Sequence, residues 1–123
     1  MTDTLVAFLK ARLDDDERVA RACAGDGTWT VEGLEIYGSD LSGEVRAHAA
    51  HQDPARTLRE VEAARAVLDL YEEAGDRMDR AMNDSDTVAY QEARIEQRTL
   101  RKVLLRNAAV HEAHPDYLQE WHP

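Results

Sequence analysis

The chain has 123 residues, enough for one domain that buries a core without disulfides or metals. It is 43% hydrophobic and 33% charged, a globular rather than a disordered balance. A net charge of −10 argues against nucleic acid as a partner, the single cysteine, Cys23, excludes an internal disulfide, and no apolar run nears the ~20 residues of a membrane span.

Only 6% of the residues are aromatic, while alanine, arginine and glutamate are abundant. Alanine and unbranched side chains lose little freedom in a helix, so the composition favours a mainly α fold. The start, "MTDTLVAFLKARLDDDE", lacks the basic and apolar regions of a signal peptide. With one cysteine, a reducing cytoplasmic setting is the default expectation.

Residues 3–24 read as a first helix. Leu5, Phe8, Leu9, Leu13, Val19 and Ala20 recur at three- and four-residue steps, Thr2 or Asp3 can cap the start, and Gly25 and Gly27 stop it. The run Asp14 to Glu17 lies in mid-helix, where consecutive side chains diverge, and reads as a solvated face rather than a cation site. Residues 28–37, "TWTVEGLEIY", read as a small β-hairpin turning at Glu32-Gly33, with Trp29, Val31, Leu34 and Ile36 on one face. A loop over 38–43 and a short helix over 44–51 follow.

Asp53-Pro54 is a helix start, an acidic N-cap followed by proline in the first position. The helix it opens runs over 54–82 along Leu58, Val61, Arg65, Leu68 and Tyr71, with Met78 and Met82 beyond a weakening Gly75. After a turn at 83–86, the last helix runs over 86–112 along Val88, Ile95, Val103 and Val110, with Leu100 and Leu104 beside them. His114 precedes proline, which ends it. Two helices of similar length and a short connector predict a long antiparallel helical hairpin, roughly 40 Å at 1.5 Å per residue. The N-terminal helix packs on it. Tyr117, Leu118 and Trp121, in the tail over 113–123, are expected to fold back across a Pro115-Asp116 turn and anchor it. The apolar length left over predicts a second copy of the chain packed alongside. All of this is expected as a single domain over 1–123.

The segments "LVAFLKARLDDDERVARA", "HAAHQDPARTLREVEAARAVLDLY" and "HPDYLQEWHP", with a tryptophan before the short hairpin, resemble one family in order and spacing. It is a family of small uncharacterised proteins of actinobacteria and their phages, a domain of unknown function. The resemblance covers nearly the whole chain and implies an origin but no activity. Members often carry cysteines between the middle and terminal segments, which would suggest zinc. This chain has none over 72–110, and Gln52 stands where many members have a second histidine after the one matched by His48.

Four histidines are the candidate metal ligands. His48 and His51, and His111 and His114, are each spaced i, i+3, so both rings of a pair can face one way on a helix. Two such pairs could supply nitrogen ligands to zinc. "HEAH" is one residue short of the metalloprotease spacing, and histidines near helix ends also bond the last carbonyls. No catalytic or cofactor-binding set is expected. Cys23 lies near a helix C-terminus, Ser39, Ser42 and Ser85 sit in turns or at caps, and no glycine-rich phosphate loop occurs. Arg94, Arg98, Arg101, Lys102 and Arg106 lie on the last helix, with Glu62, Glu72 and Glu73 as expected mates.

The function expected is therefore a non-enzymatic protein-interaction or assembly module. Its expected partners are itself, as a homodimer, and an unidentified protein, with neither nucleic acid nor membrane. A metal-binding protein or metal-dependent enzyme using the paired histidines is the alternative. An acidic DNA mimic is a further one.

Overall fold

The structure, a computed structural model, describes residues 3–23, 25–37 and 41–123. Thr2, Ala24 and residues 38–40 of the expected loop lie outside them. The described chain is mainly helical: α1 (Thr4–Arg21), α2 (Val31–Leu34) running into a 3-10 turn (Glu35–Tyr37), α3 (Gly43–His51), α4 (Pro54–Asn83), α5 (Thr87–Ala109) and a 3-10 turn at Gln119–Trp121. The contacts form two compact units, with divisions inside α1 and α4.

The first unit comprises Met1–Ala11 and Ala64–Pro123. Asp3 caps α1, its Oδ1 accepting from the Leu5 amide at 3.0 Å. Helices α4 and α5 run antiparallel: Tyr71 lies beside Arg101 (3.3 Å), and Arg77 pairs with Glu96 at 2.6 Å. Gly75 does not break α4. A Cβ there would come within 2.9 Å of the Gln97 amide nitrogen on α5.

The α4–α5 corner combines a helix ending with a helix cap. Ser85 sits in the left-handed region at φ 55°. Its amide donates to the Met82 carbonyl (3.2 Å), and the Asp86 amide reaches back to that of Ala81 (2.8 Å), a Schellman ending. Asp86 then caps α5 by accepting from the Ala89 amide at 3.0 Å.

The aromatic tail does fold back. The Tyr117 amide donates to the His114 carbonyl at 3.0 Å, closing the turn after α5. Tyr117 and Trp121 are buried, with ring centroids 6.2 and 5.1 Å from that of Phe8 and 5.6 Å from each other. Leu118, expected to bury with them, is 40% exposed. The rest of this core is Leu5, Val6, Leu9, Leu68, Tyr71 and Leu104, with Ala74, Ala81, Ala93 and Ala108.

Helix α5 departs from its expected orientation. Its inner face is Ala93, Leu104 and Ala108, while Val88, Ile95, Val103 and Val110 are 70%, 62%, 39% and 81% exposed. The stripe chosen from hydrophobicity is the solvent face. Alanines pack inward because they let helix axes approach to the short end of the usual ~8–10 Å. Met82, expected on the inner stripe of α4, is exposed as well.

The second unit is Arg12–Ala63. Leu13, Ala20, Leu34 and Val61 are its buried apolar residues, and Val19 faces solvent. The expected β-hairpin is absent, and no strand occurs among the described residues. Thr30, extended at φ −121°, accepts from the Gly33 amide with its Oγ1 at 2.9 Å, and its carbonyl takes the Leu34 amide at 3.0 Å. That N-cap starts a helical turn where a two-residue β-turn was expected; glutamate is a poor first residue for such a turn. The proposed common face is split: Leu34 is buried and Ile36 exposed. Ser42 caps α3 through the Val45 amide at 3.2 Å, and α2 packs on α3.

Truncation after Val110 is expected to lower the melting temperature by roughly ten degrees or more, since Trp121 alone carries a large-to-small cost of ~3–5 kcal/mol. Tyr117→Phe should leave it unchanged or raised, because among the described residues the buried Tyr117 hydroxyl has no hydrogen-bond partner. Ser85→Gly should stabilise by about 0.5–1 kcal/mol in urea unfolding, because glycine adopts positive φ without strain while losing more chain entropy.

Candidate functional site

Three polar constellations and one apolar face stand out. The first constellation belongs to the Asp53-Pro54-Ala55-Arg56 segment. Asp53 is buried, and its Oδ1 accepts from the Arg56 amide at 2.8 Å as the cap of α4. Its Oδ2 accepts from the Trp29 amide at 3.2 Å, and the next free helix amide, Ala55, donates to the Gly27 carbonyl at 2.9 Å. Gly27 has φ 81°, a conformation that favours glycine, and a Cβ there would crowd the Ala55 nitrogen at 3.2 Å. These bonds clip the 27–29 loop to the start of α4. The two amide donors, Arg56 first and Trp29 second, hold the Asp53 carboxyl below the usual carboxylate range.

Beside this clip is a shallow cleft of about 200 Å³ lined by Asp16, Val19, Cys23, Trp29, Pro54 and Thr57, among others. Its thiol, Cys23, donates back to the Val19 carbonyl at 3.6 Å, the habit of a structural cysteine.

The second constellation joins three elements of the first unit. The Tyr71 hydroxyl donates to Asp3 Oδ2 at 2.8 Å, and Arg101 donates to both Asp3 Oδ2 and the Tyr71 oxygen at 3.3 Å. Burial pushes the Tyr71 hydroxyl up in pKa, the bond to Asp3 adds to this, and Arg101 opposes it. These bonds make the triad a clip between α1, α4 and α5. The sequence assigned Arg101 to glutamates of α4. The structure gives it Asp3 instead, and Glu72 pairs with Lys10 at 2.7 Å.

The histidines make up the third constellation, and they play local parts. His48 and His51 lie on α3 in the second unit; the His51 ring stands 3.5 Å from Arg56, which also donates to the His51 carbonyl at 3.4 Å. His111 and His114 belong to the first unit, edge-on to Phe8 at 6.0 and 5.6 Å. His114 Nδ1 accepts from the Asp116 amide at 3.0 Å, which shapes the His-Pro-Asp-Tyr corner. Among the described residues no three His, Cys, Asp or Glu side chains gather as metal ligands would.

What remains is the outer face of α5. Val88, Ile95, Val103 and Val110 share it with Glu92, Thr99 and Arg106, all exposed. Thr99 Oγ1 donates back to the Ile95 carbonyl at 3.1 Å, satisfying its one polar group within the helix. Periodicity found these apolar residues but assigned them inward.

A family described as "Family of unknown function (DUF6221)" matches residues 2–123. The chain belongs to this family. No curated protein matches it, and no solved structure does. The bonds above give the Asp53-Pro54-Ala55-Arg56 and His114-Pro115-Asp116-Tyr117 segments each a structural task. Among the described residues, no helix is long and apolar enough to cross a membrane.

Asp53→Asn should lower the melting temperature at neutral pH by several degrees, and the deficit should vanish in acid. A carboxyl whose folded pKa is depressed contributes fully above its unfolded value of about 4 and loses that contribution as the pH falls through the lower folded value. Melting curves of both proteins between neutral pH and pH ~2 would show this convergence.

Proposed function

We propose that this chain is a non-enzymatic protein-interaction or assembly module of phage or actinobacterial origin, self-associating in the cytoplasm. The observation that carries the reading is the row of β-branched residues on the outer face of α5. A lone exposed valine is ordinary, but three valines and an isoleucine on one face of one helix amount to a seam. Water is a poor neighbour for such a row, and a second helix is the commonest way to cover it.

The polar constellations support the same reading. Asp53, Asp3 and His114 each serve the fold's own caps and clips. The acidic surface adds colloidal solubility, so that association is left to one apolar face.

Sedimentation equilibrium across a concentration range tests this. The expected mass is twice the 13.9 kDa of one chain, falling towards one chain's mass on dilution. Ile95→Glu should abolish the dimer while leaving the helical circular dichroism unchanged, since Ile95 is exposed in the single chain. A wild-type mass of 13.9 kDa at every concentration up to ~100 µM would overturn self-association.

A further inference from the structure

The outer face of α5 reads the same in both directions about Thr99. Val88 and Val110 stand eleven residues to either side of it, Glu92 and Arg106 seven, and Ile95 and Val103 four. At 3.6 residues per turn, steps of four, seven and eleven all return to within about 40° of the starting direction. The seven side chains therefore form one stripe, and each apolar residue has an apolar counterpart, the acid a base. All seven are exposed. Val110, just past the last turn, keeps helical dihedrals at φ −58° and ψ −27°, so the stripe extends through it.

We propose that two copies of the chain pair through this face, α5 against α5 antiparallel, with the two-fold axis passing by Thr99. The proposal rests on the self-association reading above and adds the occupant, the direction and the register. In this register Val88 meets Val110 of the other copy, Ile95 meets Val103, and Glu92 meets Arg106, every contact occurring twice.

The charges decide the direction. A parallel pairing in register sets Glu92 against its own copy and Arg106 against its own, two like-charge contacts in the seam. The antiparallel pairing converts both into opposite-charge contacts. Both residues are available for it. Glu92 makes no ion pair among the described residues, and Arg106 donates only to the Lys102 carbonyl of its own helix at 3.1 Å. On the axis, the Thr99 hydroxyl is already bonded to the Ile95 carbonyl, so its methyl can enter the seam without stranding a polar group.

The geometry predicts that either single charge reversal weakens the pair, an effect that parallel pairing lacks because its wild type already sets like charges together. Glu92→Arg alone sets like charges against each other at both symmetry-related contacts, as does Arg106→Glu alone. Each single variant should dimerise at least ~10-fold more weakly than wild type at low salt. Mixed in equal amounts, the two variants restore both opposite-charge contacts, so a heterodimer of wild-type strength should form. The double variant should dimerise with itself equally well. On a Cys23→Ser background, Thr99→Cys should cross-link quantitatively under mild oxidation, and the same cysteine placed at Glu92 should not.

If the wild type dimerises but mixing restores nothing and Thr99→Cys stays monomeric on denaturing gels, the register is wrong and the self-association reading survives. If the wild type is monomeric by sedimentation, both fall, and the face belongs to a helix of another protein. Because the substituted side chains are exposed, unchanged circular dichroism of each variant separates lost pairing from lost folding.

Discussion

The first compact unit depends on the aromatic cluster around Phe8, the only phenylalanine in the chain. The ring lies on α1, and Tyr117 and Trp121, which close on it, come from the far end of the sequence. Rings at 5–6 Å centroid separation in tilted or edge-on arrangements gain more than their buried area alone supplies. In a protein so poor in aromatics, that cluster is the bulkiest part of the core. Leu5, Leu9, Leu68 and Leu104 pack in the same unit and need its closure to stay dry.

The polar groups serve the same architecture. Asp3 caps α1 with one carboxylate oxygen and takes the Tyr71 hydroxyl and Arg101 with the other. Asp53 divides its two oxygens in the same way, between the cap of α4 and the Trp29 amide. A carboxylate used twice does two jobs at one desolvation cost. This is why two conspicuous acids, one beside a tyrosine and an arginine and the other beside a cleft, both act as clips.

Much of the helical plan was legible in the sequence. Asp53-Pro54 and Asp86 mark two helix starts that the structure places within a residue of the expected positions, because a cap is a local interaction and its side chain must be present. The tail's return was legible too, since large aromatics after a His-Pro turn have little reason to stay in water. The hairpin at 28–37 was misread for an equally local reason: the alternation of apolar residues suggested strands, but the Thr30 cap and the Gly33 amide complete a helical turn first.

Sequence by itself determined that the chain is mainly helical, where its long helices begin, and which aromatics close the core, because capping, proline geometry and ring burial are written in neighbouring residues. Tertiary structure alone decided which side of α5 is the inside. A hydrophobicity pattern ranks valine and isoleucine above alanine and turns them inward. Close helix packing ranks by size and chose Ala93 and Ala108, leaving Val88, Ile95, Val103 and Val110 on the surface. Which acid clips which loop was likewise decided in space: Asp3 and Arg101 lie at opposite ends of the sequence, and no local rule pairs them.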